Sequence, residues 1–310
     1  MTRVLFYREY DGFSGGQLIH SQYFEAIMSI PGVEAGLYYV SQNFDFAASP
    51  WREYSQQLMR RWEPEWADII FVAGLDWRIF PRQEALELKK PFVNLIQHIR
   101  HAQPDDPRFT FLDRRALRIC VSPEVEQALR RTGRCNGEII TIKNGIALPL
   151  RDQNARHRPN DVALTAIKQP ALAVALQHRL ARKGLRVDLI EQTIRSEFLD
   201  RLSAARIAVV LPGQEEGFYL PALEAMALGC IVVCPDCVGN RSFCYDSVNC
   251  LQPDTYDVDS LVRSVQRALM LSESQQAQML RRAAETAAQY SKTAMESSIR
   301  TLFARIIENV

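Results

Sequence analysis

Two glutamates, Glu216 and Glu224, bracket a turn that also holds Gly217, Phe218, Tyr219, Leu220 and Pro221. The run Ile207-Ala208-Val209-Val210-Leu211-Pro212 ahead of the turn is continuously apolar and reads as a buried parallel strand. Beyond it, Leu220, Leu223, Ala227 and Leu228 fall on one side of a helix. Pro221 suits its first turn and Gly229 its stop. The first N–H groups of such a helix have no partner within it, and the macrodipole adds positive charge there. A phosphate or diphosphate is the natural guest, and Gly217 would let backbone come close to it. Carboxylates beside a diphosphate are repelled unless they hold hydroxyls. A nucleotide sugar offers two sets of hydroxyls, on its ribose and on its transferred sugar. An ordinary amphipathic helix behind a core strand would need none of these residues at these places.

The elements around this turn alternate between strand and helix along the whole chain. In the first half, strands are expected at Thr2–Tyr7, Val33–Val40, Asp68–Ala73, Pro91–Gln97, Ala116–Ser122 and Ile139–Ile142. Helices are expected from about Gln17, after the Gly15-Gly16 turn, to the break at Pro31-Gly32, then in a loop-plus-helix stretch reaching Arg61, around Gln83–Leu88, and over Pro123–Arg131, where Ser122-Pro123 gives an N-cap and an N1 proline. Trp51, Trp62 and Trp66 read as core or wall residues. The polar stretch Pro149–Asp161 is the best linker candidate. Strands at Val162–Ile167, Leu185–Ile190 and Ile231–Cys234 then restart the pattern, with helices over Pro170–Lys183 and Ser196–Ala204, one carrying Leu261, Val265 and Leu269, and a last one carrying Met295, Ile299, Phe303 and Val310. This is an α/β chain of two Rossmann-like domains. Ligands in open α/β sheets sit beyond the carboxyl ends of the strands. That rule singles out His98, Arg100 and His101 after one strand and Lys168 after another.

Composition narrows the class. The chain has 310 residues, 47% of them hydrophobic and 24% charged, as in an ordinary globular protein of two domains. Its net charge of +1, with cations spread along the chain, argues against nucleic acid as a partner. No apolar run approaches membrane-spanning length, and with a core strand expected from Thr2 no signal peptide is expected. The seven cysteines form no Cys/His cluster of the zinc type and read as reduced, mostly buried thiols. Fixed-period repeats are not evident.

The segment Glu216-Gly217-Phe218-Tyr219-Leu220-Pro221-Ala222-Leu223-Glu224-Ala225-Met226-Ala227-Leu228-Gly229 closely resembles the donor motif of retaining GT-B glycosyltransferases, the glycogen-synthase and bacterial mannosyltransferase type often called family 4. The resemblance implies a GT-B fold, two Rossmann-like domains facing across a cleft, with a C-terminal helix crossing back to the first. It implies an acceptor-side domain over 1–149, a nucleotide-sugar domain over 150–288 and the returning helix over 289–310. By the same resemblance Glu216 lies by the donor sugar, Glu224 holds the ribose, Gly217 and Phe218 face the donor through their backbone, Leu220 faces the diphosphate, and Tyr219 belongs to the same donor-binding turn. His98, or less directly His101, takes a place near the donor sugar, and Gly15, Gly16 and Arg100 line the acceptor side. The family's Arg and Lys that neutralise the diphosphate are matched only by Lys168; Arg182 and Lys183 lie too far along their helix. Gly239-Asn240-Arg241 stands where the family often has Gly-Gly-x-x-Glu, and Asp246-Ser247-Val248-Asn249-Cys250-Leu251 is similar to its Asp-Gly-x-Asn-Gly-Leu segment.

The expected activity is transfer of a sugar, with retention, from a nucleotide-diphosphate sugar to an acceptor hydroxyl on a glycan, glycolipid or small glycoside. The expectation includes no metal and no resident cofactor, a cytoplasmic location, and contact with the inner face of the membrane if the acceptor is lipid-linked. A GT-B sugar-nucleotide epimerase and a non-catalytic nucleotide-sugar-binding protein remain as alternatives. The base, the sugar, the acceptor and the oligomeric state are not legible.

Overall fold

The computed structural model describes residues 1–9, 15–40, 49–81, 88–147 and 158–309. Contacts divide the chain into two units, Met1–Asn144 with Thr293–Val310, and Gly145–Lys292. The expected linker falls mostly outside the described residues, as does nearly all of the helix expected around Gln83–Leu88.

The first unit is built on six parallel strands in the order β2-β1-β3-β4-β5-β6. They are β1 (Thr2–Arg8), β2 (Val33–Tyr39), β3 (Ile69–Ala73), β4 (Phe92–Ile96), β5 (Leu117–Cys120) and β6 (Ile139–Thr141). Strands β3 and β4 are buried at every residue, as continuous apolar runs in a covered parallel sheet require. Helix α1 (Gly15–Met28) follows β1, and α2 (Pro123–Arg131) follows β5, capped by the Ser122 hydroxyl, which accepts from Val125 N at 3.3 Å. Phe6 stacks on Phe71 at 4.2 Å and meets Phe24 edge-on at 5.0 Å. Trp51 is fully buried and its indole donates to Gln17 Oε1 at 2.9 Å, so it belongs to the core, while Trp62 and Trp66 are only partly buried. The stretch expected as a helix reaching Arg61 is instead a 3-10 turn over Arg52–Gln57, interrupted at Tyr54 by non-helical dihedrals.

One strand residue breaks the apolar pattern. Arg118 in β5 is fully buried, and its guanidinium donates to the carbonyls of Ala116, Asn136, Phe111, Leu112 and Arg114 at 2.7 to 3.1 Å. It pins the chain entering β5 and β6, and burial pushes its pKa down.

The second unit holds four parallel strands in the order β10-β9-β7-β8: β7 (Asn160–Thr165), β8 (Val187–Ile190), β9 (Ala205–Val209) and β10 (Ile231–Val233). Its helices are α3 (Pro170–Ala181), α4 (Arg195–Ser203), α5 (Leu220–Ala227), α6 (Val258–Met270) and α7 (Glu273–Ala288). Leu164, Leu176, Val209, Val233, Leu261 and Val265 lie in one buried core. Helix α7 has no counterpart among the expected elements, although Ser272 and Gln275 form a capping box at its start.

The last helix, α8 (Lys292–Ile307), packs within the first unit. Phe303 is fully buried and stacks toward Phe71 at 6.3 Å, and Arg305 pairs with Glu138 at 3.0 Å. The two passages of chain between the units run side by side: Ile146 N donates to Tyr290 O at 2.7 Å and Lys292 N to Ile146 O at 2.9 Å. A Cβ on Gly145 would stand 2.4 Å from Ser291 O, so only glycine lets these backbones meet.

Candidate active site

In the second unit, β7 leads through α3 to β8 on one side, and β8 leads back through α4 to β9 on the other side of β7. The winding reverses between β7 and β9, and the carboxyl ends of such a strand pair are where an open sheet presents ligands. Lys168 follows β7 and Glu216 follows β9. Their Nζ and Oε1 are 2.9 Å apart, with Lys168 about half exposed and Glu216 at 20%. The turn carrying Glu216 is closed by Glu216 N donating to Gly213 O at 3.2 Å.

Helix α5 then starts without a side-chain cap: Tyr219 occupies the N-cap position and makes no capping bond. Pro221 in the first turn has no N–H to leave unpaired. The remaining N–H groups of that turn gather the positive end of the helix dipole. The side chains of Phe218, Tyr219 and Leu220 are all buried. Phe218 packs on Phe243 and Tyr290, at centroid distances of 5.3 and 5.8 Å. Tyr219 is bonded to Thr165, at the end of β7, and burial pushes its phenol well above the ordinary value. The turn therefore offers a ligand its backbone rather than these side chains.

Glu224, one turn further along α5, has a side chain only 1% exposed. Its Oε1 accepts from Arg195 Nη2 at 2.5 Å. Arg195 opens α4, which follows β8, so this pair links elements on either side of β7. The sequence reading missed Arg195. A signal was present, since a cation in the first turn of a helix opposes the macrodipole and calls for a partner. Arg182 and Lys183 stand at the far end of α3 from Lys168.

The close backbone approach in this region is made at Gly239. Tyr219 N donates to Gly239 O at 3.0 Å, and Val238 N to Gln214 O at 3.1 Å. A Cβ on Gly239 would lie 2.6 Å from both Glu216 O and Phe218 N. Asn240, fully buried, donates to Pro235 O at 2.8 Å and Cys234 Sγ at 3.2 Å, and accepts from Cys237 N at 3.1 Å. The loop over Gly239-Asn240-Arg241 thus clamps the turn that carries Glu216, Gly217 and Phe218, and Arg241 pairs with Asp236 at the surface. Asn249 is buried and bonds Phe243 O, Thr286 and Tyr245 N, while Ser247, where the family has glycine, takes a φ of 60°.

The expectation of no metal took a close Cys-x-x-Cys pair and an Asp-x-Asp to be absent, and both are present in the sequence. Cys234 and Cys237 stand as Cys-x-x-Cys; both are free and buried, and burial raises the Cys237 thiol. Asp257-Val258-Asp259 is an Asp-x-Asp. Asp257 caps α6 through Ser260 N at 2.9 Å, and Asp259 pairs with Arg179 at 2.8 Å. Among the described residues, no group of three His, Cys, Asp or Glu could hold a metal ion.

In the first unit the other candidates also share one sheet edge. Gln97, just after β4, donates to Gly16 O at 3.0 Å, which brings the 98–101 turn beside the start of α1. Gly15 opens that helix. His98 Nδ1 accepts from Arg100 N at 3.0 Å, so its Nε2 carries the proton when the ring is neutral. His101 is 4% exposed, and burial, helped by Arg108, lowers its pKa to about 3. Arg8 and Asp76, buried at the ends of β1 and β3, pair at 2.5 Å.

His20 is fully buried among Phe6, Trp51 and Phe71, and burial holds its pKa well below the ordinary value. Both His20 and His101 are therefore neutral in the folded chain at pH 7. Their contribution is fully present above about pH 6.5, the unfolded value. It is lost as pH falls below that, because only the unfolded chain takes up the protons. Urea midpoints should drop between pH 6.5 and 4.5, by at most about 1.4 kcal/mol per pH unit for each histidine. His20→Phe should flatten that slope; an unchanged slope would remove His20 from the account.

Residues 176–287 match the family model of glycosyl transferases group 1, from within α3 to the end of α7. Comparison with curated proteins gives no match. Among solved structures, the chain is similar to sucrose-phosphate synthase from Thermosynechococcus elongatus, with a TM-score of 0.73 at 16% identity over 100% of both chains. It is similar to Anabaena HepE in complex with UDP-glucose, with a TM-score of 0.72 at 15% identity over 98% of this chain and 100% of that one. It is also similar to the lipopolysaccharide outer core galactosyltransferase WaaB, with a TM-score of 0.68 at 12% identity over 98% and 100%. The fold is GT-B, two α/β units each with a parallel sheet. The family match and the fold together support a GT-B glycosyltransferase. No described helix is long and apolar enough to cross a membrane.

Proposed function

We propose that the protein is a retaining hexosyltransferase of the family 4 type that moves a sugar from a nucleotide-diphosphate donor to an acceptor hydroxyl without a metal. The observation that carries this is the pair of cation–carboxylate contacts at the reversal of the second sheet, Lys168–Glu216 and Arg195–Glu224, beside the uncapped start of α5. Similar folds hold such donors: HepE was solved with UDP-glucose and with UDP and glucose.

In this reading Glu224 holds the ribose hydroxyls, and the backbone of Gly217 and Phe218 with the first turn of α5 takes the diphosphate. Lys168 trades its contact with Glu216 for the diphosphate. An exposed pair of this kind contributes only about 0–1 kcal/mol, so the exchange costs little. Helix terminus and Lys168 stabilise the charge that grows on the leaving phosphate. That phosphate helps take the proton from the acceptor hydroxyl, which attacks from the same face, so configuration is kept. Glu216, released from Lys168, orients the sugar and steadies its developing positive charge. The first unit takes the acceptor, with His98 as its catalytic candidate and Gly15, Gly16, Arg100 and His101 as acceptor-side candidates. With Nδ1 accepting from Arg100 N, Nε2 is the ring atom of His98 that would face a sugar hydroxyl. Polysaccharide or glycolipid synthesis in the cytoplasm, at the inner membrane face for a lipid-linked acceptor, is the setting this implies.

Incubation with labelled sugar nucleotides and an acceptor panel tests the reading. Transfer with retained anomeric configuration supports it. An isomerised free sugar nucleotide would make the protein an epimerase, and binding alone a non-catalytic receptor. Lys168→Ala should weaken nucleoside diphosphate binding by about 1.5–3 kcal/mol while leaving the nucleoside unaffected. Calorimetry showing equal losses for both ligands would remove Lys168 from the phosphate site.

A further inference from the structure

We propose that Arg195 is a positioning residue for the donor nucleotide, holding the Glu224 carboxylate so that its other oxygen reads the ribose diol. The inference rests on the ribose role given to Glu224 above. Glu224 lies in the middle of α5 with a side chain 1% exposed, and Arg195 is its only ion-pair partner among the described residues. The bond is made to Oε1 alone. A carboxylate this far from water is strongly unfavourable without a partner, so the position of the cation decides where the charge can rest. Guanidinium is planar and rigid, and its N–H directions fix the plane of the carboxylate it meets, which a flexible ammonium does not do. With Oε1 engaged, Oε2 is the oxygen left to accept from a diol.

The placement of Arg195 supports a positioning role. It begins α4, where the helix dipole disfavours a cation, and Ile194 before it is 62% exposed. Glu197, the acidic residue of the same turn, is engaged by Thr193 and Arg201, and the partner of Arg195 lies on another helix, α5, which follows β9 on the other side of β7. Lys168 does not share this work, since its ammonium lies at Glu216 and passes to the diphosphate in the reading above. Arg195 itself remains 30% exposed, so it can follow Glu224 through small adjustments as a nucleotide enters.

The experiment compares uridine, adenosine and guanosine diphosphates with their 2′,3′-dideoxy counterparts by calorimetry on the full chain. Wild type should prefer the ribose form of the base it accepts by roughly tenfold or more, the worth of hydroxyl bonds to a charged acceptor. Arg195→Met should bring that preference to within about twofold, whereas a merely structural loss would weaken both ligands equally and leave the ratio intact. Arg195→Gln, which keeps a donor and places less strain on the fold, carries the same expectation where Arg195→Met does not fold. Arg195→Lys should restore only part of the preference. A full ribose preference in Arg195→Met or Arg195→Gln would overturn the positioning role and leave Glu224 in place. No ribose preference in wild type would instead overturn the ribose assignment itself.

Discussion

Gly239→Ala should destabilise the second unit by about 3 kcal/mol and abolish donor binding. The added Cβ would lie 2.6 Å from Glu216 O and Phe218 N and 2.8 Å from Phe218 Cα. All three are backbone atoms of the 216–218 turn, so no side chain can swing away to make room. The dihedrals of Gly239 are not in the left-handed region, and the cost is therefore purely one of space. Relief requires moving either the 238–240 turn, which Asn240 ties to Pro235 and Cys237, or the 216–218 turn itself. Gly213→Ala provides the contrast, since its Cβ would meet only the Glu216 side chain, at an ordinary 3.5 Å. Urea midpoints and nucleoside diphosphate titrations of both variants make the comparison. A Gly239→Ala protein as stable as Gly213→Ala, with donor binding intact, would show that the close approach does not support the turn.

Glu216→Gln should lower turnover about a hundredfold while nucleoside diphosphate binding holds or tightens slightly. Glu216 is the counter-ion of Lys168. Removing its charge frees Lys168 for the diphosphate, so affinity for the product has no reason to fall. The chemical step is different. Positive charge develops on the sugar ring only as the bond to phosphate breaks, and a carboxylate strengthens its contact at that moment while an amide does not. Turnover measured beside calorimetric affinity separates the two effects. Unchanged turnover, or a loss confined to nucleoside diphosphate binding, would reject the assignment of Glu216 to the sugar.

The strands were legible because covered parallel sheets demand apolar runs: β3, β4 and β7 lie within a residue or two of their expected places. Ser122-Pro123 fixed the start of α2, since an N-cap hydroxyl and an N1 proline act locally. Helix α7 was lost between two neighbouring helices despite its own Ser272 cap, because its alanine-rich sequence shows little apolar contrast. The site was half legible. Lys168, Glu216 and Glu224 could be placed from the strand–turn–helix pattern, but the pairings among them depend on strand order, which local sequence does not encode. Arg195 follows β8 and meets a residue beyond β9 only because β7 lies between those strands. Gly239 is hidden for the same reason, as its neighbours are a separate turn of chain. Arg118 shows the converse, a charged residue inside a correctly expected strand whose five carbonyl partners are made by the surrounding fold.

The return of α8 to the first unit has a consequence for how the chain is made. A ribosome delivers residues in order, and Phe303, which closes over Phe71, emerges only after the whole of Gly145–Lys292 has been synthesised. At about 5–20 residues per second, the six strands of the first unit wait roughly 7–30 seconds for their last helix. Through that interval the surface around Phe71 is without its cover, while the second unit, continuous from Gly145 to Lys292, already has every residue it needs. The half of the chain that is made first is thus the half that is finished last, and its exposed apolar face is the one a nascent-chain chaperone would meet.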